Sequence, residues 1–121
     1  MLVNDARFGS DAEAISYAME RTIDAYEAHG EICRISSIAE GTHKDGSSHY
    51  DDRAFDTLLY DVPEEKRLAI LRDIRESLDC GMLLYGEFEG TPNSDFLIIY
   101  GDENHMNHMH LQWKKWRAMN R

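Results

Sequence analysis

Two stretches of this sequence hold residue types that can do chemistry. GSSHYDDRAFD, residues 46–56, carries His49 and Asp56, and GDENHMNHMHLQW, residues 101–113, carries His105, His108 and His110. An imidazole and a carboxylate set among further acids and an arginine do not fit the apolar/polar alternation of a plain strand. Nitrogen and oxygen donors without thiolate suit zinc, which in catalytic sites takes three protein ligands and keeps one position open. His49, Asp56 and His110 would supply such a set. If residues 108–110 are extended, His108 and His110 share a face, so one can ligate while the other shapes the site. Taken alone, the spacing HxxxxxxD recurs by chance, and a histidine and an aspartate that cap loops would satisfy it equally well.

Read together, the two stretches are more specific. SSHYDDRAFD resembles the SxHxxGxAxD motif of the zinc D-alanyl-D-alanine carboxypeptidases and their relatives, which include phage L-alanyl-D-glutamate endopeptidases and the hedgehog signalling domain. Ser47, His49, Ala54 and Asp56 stand where that pattern wants them, and His108-Met109-His110 matches the HxH of its second half, extended by His105 to HxxHxH. The resemblance spans Ile32 to Trp113.

The resemblance implies a zinc-dependent peptidoglycan peptidase, with His49, Asp56 and His110 as metal ligands. His105 or His108 is then the acid/base group, His105 preferred, and Glu103 is a lesser candidate. Ser47 and Arg53 are the candidate substrate-binding residues, although Ser47 reads equally as a simple turn serine. Asp52 occupies the motif's glycine position, and Glu40 stands where relatives carry an arginine that grips a substrate carboxylate. Arg34, Lys44 and Arg53 are the cations that could replace it, and the expected specificity moves from carboxypeptidase toward endopeptidase. A non-catalytic metal-binding or structural module of the same fold, such as a phage virion component, is the alternative.

These residues need elements to position them. Ser10 and Glu13 form a capping-box pair, after which Ile15, Met19, Thr22/Ile23 and Tyr26 recur at helical spacing, predicting a helix over 11–29. ICRISSI (32–38) reads as a strand, EGTHKDGSS as a loop and RAFDTLLYDV (53–62) as a second strand. Pro63 suits the first turn of a second helix whose buried stripe is Leu68, Leu71, Ile74 and Leu78, ended by Gly81. MLLYGEF (82–88) and DFLIIYG (95–101) are expected to form a hairpin across EGTPNS, and a last strand runs over 109–113. This order predicts an α+β domain with an antiparallel sheet flanked by helices on one side, of hedgehog/DD-peptidase type.

The length of 121 residues predicts one domain, and 42% apolar with 30% charged residues is the composition of a folded chain. A net charge of −10 disfavours nucleic acid, and Lys114, Lys115 and Arg117 read as solvating a terminal segment. Cys33 and Cys80, with no CxxC pair, are expected to be buried free thiols. His29 and His43 read as helix-end and loop residues, and Trp113 and Trp116 as core packing beside the last strand. No stretch approaches a membrane span, and the N-terminal residues lack a basic region followed by an apolar core. The expectation is a monomer made in the cytoplasm without a signal peptide, reaching the bacterial wall after holin-type release or from a virion.

Overall fold

A computed structural model describes residues 11–39 and 53–113. The elements run α1 (Asp11–Ala28), β1 (Ile35–Ala39), β2 (Arg53–Leu58), α2 (Glu64–Leu78), β3 (Gly81–Leu84), β4 (Glu87–Gly90), β5 (Phe96–Tyr100) and β6 (His108–Trp113). The protein is α+β, with a six-stranded sheet in the order β1-β2-β6-β5-β3-β4.

The sheet is mixed, which corrects the expected antiparallel arrangement: β3 and β5 pair in parallel, and the other neighbours are antiparallel. The reason lies within MLLYGEF, which is two strands and a turn where the sequence suggested one strand. Tyr85 and Gly86 both take positive φ, 53° and 85°, the conformation of a tight two-residue hairpin turn. That turn reverses the chain once and the segment 91–95 reverses it again. β5 therefore returns along the free side of β3 pointing the same way, and the expected hairpin across EGTPNS does not form.

α1 buries Ala14, Ile15, Ala18, Thr22, Ala25 and Tyr26 along one stripe. The alanines keep that stripe shallow, and the Thr22 hydroxyl is satisfied by donating to the Ala18 carbonyl at 2.8 Å. α2 buries Ile70, Leu71, Ile74 and Leu78, so the stripe is centred one position away from Leu68, which is only partly buried. Pro63 precedes the first turn of α2, and Asp79 in the left-handed region closes its last. The terminator is thus Asp79, and Gly81 already belongs to β3.

The two helices touch each other and cover the same face of the sheet, α1 on β2 and β6, α2 on β5. Phe55 and Thr57 of β2, Phe96, Ile98 and Tyr100 of β5, and Met109, Leu111 and Trp113 of β6 turn into that layer and are buried. Each such side chain contributes roughly 1.5–3 kcal/mol when fully removed from water. Tyr26 locks α1 to β2, its hydroxyl 2.7 Å from Thr57 Oγ1 and donating to the Leu58 carbonyl at 3.1 Å. Because side chains alternate along a strand, the residues between these core positions, Asp56, His108 and His110 among them, face the side opposite α1 and α2.

Candidate functional site

β2 and β6 pair in a register that sets Asp56 opposite His110 and Leu58 opposite His108. Two sequence motifs 54 residues apart therefore meet across one strand pair: His110 Nδ1 donates to Asp56 Oδ1 at 2.9 Å. The second carboxylate oxygen, Asp56 Oδ2, lies 4.0 Å from His108 Nε2. His105 completes the group from the turn between β5 and β6, its ring centroid 5.1 Å from that of His108 and 5.5 Å from that of His110. All four side chains are about a quarter exposed or less, enough to meet solvent without being free in it.

Each imidazole has a different second partner. His110 Nε2 lies 3.0 Å from Gln112 Oε1, the next residue on the same strand face. His108 Nδ1 lies 3.2 Å from Asn107 Oδ1. His105 Nδ1 lies 2.6 Å from Asp102 Oδ1, which also accepts the Asn104 N–H at 2.9 Å. The His105 contact, with the Asn104 N–H, holds the Asp102 carboxyl below the usual carboxylate range. Asp102 and Gln112 are not among the site residues expected from the sequence. The signals were there, a DxxH spacing in GDENH and an HxQ spacing in HLQ, but neither means anything until the turn and the strand face are known.

Of the other expected site residues, Glu103 sits in the same turn and is exposed. His49 and Ser47 lie outside the described residues, as does the side chain of Arg53. Arg34, one of the cations considered for a substrate carboxylate, is paired with Asp61 at 3.0 Å. His29 pairs with Asp73 at 2.7 Å, tying the end of α1 to α2. Cys80 is buried and Cys33 partly so, and burial pushes their thiols up to about 12 and about 11.

Among the described residues no group of three or more His, Cys, Asp and Glu side chains is arranged to hold a metal ion. The donor chemistry nonetheless fits zinc: a carboxylate and imidazole nitrogens, with no thiolate. Two ligands at about 2.0–2.1 Å from a tetrahedral ion lie roughly 3.3 Å apart, so the 2.9 Å between Asp56 and His110 is a few tenths of an ångström short of a ligand pair. The described residues thus bring together two of the three expected ligands.

No protein-family model, curated protein or solved structure matches this chain. Among the described residues no helix is long and apolar enough to cross a membrane.

Proposed function

We propose that this protein is a zinc-dependent peptidase with the hedgehog/DD-peptidase fold, acting on stem-peptide or crosslink bonds of bacterial peptidoglycan. The observation that carries the reading is the contact of Asp56 with His110 on the face away from α1 and α2, with His105 and His108 beside it. A structural pairing of one aspartate with one histidine has no need of two more imidazoles within ring contact. In this reading His49, Asp56 and His110 hold the zinc ion.

Bound there, zinc supplies Lewis-acid polarisation of the scissile carbonyl and a water of lowered pKa. The chain's own residues do the rest. His105 or His108 takes the proton of the attacking water and delivers it to the leaving amine nitrogen, a general acid/base task that histidine side chains commonly perform. Ser47 and Arg53 serve the substrate. The enzyme works on the wall after holin-type release or as part of a virion, and needs neither nucleic acid nor a second copy of itself.

A second reading keeps the fold and the metal but not hydrolysis, as a structural module. What favours it is that Arg34 pairs with Asp61 at 3.0 Å, so that gripping a substrate carboxylate would mean exchanging that surface ion pair. The same observation favours an endopeptidase over a carboxypeptidase. The test is elemental analysis of the purified protein beside Asp56→Ala, together with turbidity loss of permeabilised cells. Near-stoichiometric zinc that disappears in the variant, with lysis that disappears too, is the expected result. Zinc without any lysis favours the structural module, and lysis indifferent to zinc defeats both readings.

A further inference from the structure

Three imidazoles crowd one site, and among the described residues only one of them, His105, is oriented by a carboxylate outside the cluster. Asp102 Oδ1 faces His105 Nδ1 at 2.6 Å and is itself fixed by the Asn104 N–H at 2.9 Å. The backbone closes the same turn twice, with His105 N–H donating to the Asp102 carbonyl at 3.0 Å and Gly101 N–H to the His105 carbonyl at 2.7 Å. The far side of the turn is tied to the body of the protein. Arg67 of α2 donates to the Met106 carbonyl at 3.3 Å and to the Tyr100 hydroxyl at 2.8 Å, and Leu59 N–H donates to the Asn107 carbonyl at 2.9 Å. The His105 ring is therefore held at its Nδ1 edge within a turn anchored on both flanks.

A carboxylate on one ring nitrogen decides which tautomer a neutral histidine adopts. With Nδ1–H donating to Asp102, the lone pair of His105 is on Nε2, which among the described residues has no hydrogen-bond partner. Among the described residues His108 has the side chain of its neighbour Asn107 at 3.2 Å and Asp56 Oδ2 4.0 Å from its Nε2, and both nitrogens of His110 are engaged by Asp56 and Gln112. Resting on the function proposed above, we infer that Asp102 is the positioning residue of the site, fixing His105 in the Nδ1–H tautomer so that its Nε2 lone pair, and not a nitrogen of His108, accepts the proton of the attacking water. An aspartate orients the catalytic histidine of a serine protease by the same kind of contact, although Asp102 is part-exposed where that aspartate is buried. Here it is built into a four-residue turn.

Nitrogen-15 correlation spectra of the histidine rings, recorded on the full chain freed of metal by chelation, test the tautomer without reference to activity. The wild type is expected to show His105 as the Nδ1–H form at neutral to mildly alkaline pH, and Asp102→Ala to move it toward the Nε2–H form that an unpartnered histidine favours. Asp102→Asn, which keeps an acceptor for the Asn104 N–H, guards against simple loss of the turn and is expected to preserve the melting temperature while weakening the tautomer preference. In the zinc-loaded protein both variants are expected to keep their metal and KM while kcat falls about 10–100-fold. A wild-type His105 in the Nε2–H form, or a tautomer indifferent to Asp102, overturns the inference. So does loss of zinc from Asp102→Ala, which would make His105 a ligand. If the wild type holds no zinc and cleaves nothing, the proposed function falls, while the ring spectra still decide whether Asp102 sets the tautomer.

Discussion

Asp56 on β2 and His110 on β6 sit directly opposite each other, and their side chains close to 2.9 Å on the face of the sheet away from α1 and α2. The large buried side chains of both strands, Phe55, Met109, Leu111 and Trp113, point the other way, so the pair is not part of the main core. Asp56→Ala is therefore expected to leave folding nearly intact, within about 1 kcal/mol, while abolishing zinc retention. Thermal melts beside elemental analysis check this. A variant that melts far lower, or that keeps its zinc, would mean the pair is architectural.

Tyr26 is the opposite case, a polar contact inside the core. Its hydroxyl meets Thr57 Oγ1 at 2.7 Å and the Leu58 carbonyl at 3.1 Å, and burial raises its pKa far above the ordinary tyrosine value. Tyr26→Phe removes the partner of a buried hydroxyl and is expected to cost about 1–3 kcal/mol. Urea denaturation reads this directly, and a loss under about 0.5 kcal/mol would show that the hydroxyl finds water instead.

Gly90 ends β4 at φ +99°, and a Cβ placed there would lie 2.4 Å from the Cys80 carbonyl oxygen. Backbone strain and a clash with a backbone atom act together, so Gly90→Ala is expected to destabilise by more than about 1 kcal/mol. Gly86 has a positive φ but open space around it, so Gly86→Ala carries only the conformational penalty and should cost less. Reversal of that order in paired melting curves would contradict the β3–β4 geometry.

Cys80 predicts an alkaline limit to stability. Burial lifts its thiol from 9.0 to about 12, so above pH 9.0 the unfolded chain releases a proton that the folded chain keeps. The unfolded state then binds fewer protons, and stability falls as pH rises from about 9 toward 12. Tyr85 acts in the same sense, lifted to about 12 chiefly by donating its hydroxyl to Glu64. Melting temperatures taken from pH 7.5 to 10.5 should decline, and the decline should be shallower in Cys80→Ala. A flat profile in the wild type would contradict the buried thiol.

The class of structure was legible because periodicity survives in a single sequence. The helical stripes of α1 and α2, and the alternation of HMHLQW, follow directly from which residues avoid water. The two chemical stretches were legible for a related reason, since histidine and aspartate at strand positions expected to alternate are conspicuous. The Tyr85-Gly86 turn was hidden because MLLYGEF reads as one continuous β-prone run, and a reversal there rests on a positive φ that tyrosine rarely adopts.

By itself, then, the sequence determined an α+β chain with two helices, a set of β segments and candidate ligands on two of the stretches. Tertiary structure alone decided that β3 and β5 run parallel, that Asp56 lies against His110, and that Asp102 grips His105. Local propensity acts over a few residues, whereas strand order and register depend on how all the strands share two faces at once. A contact between positions 56 and 110 exists only after that arrangement is settled.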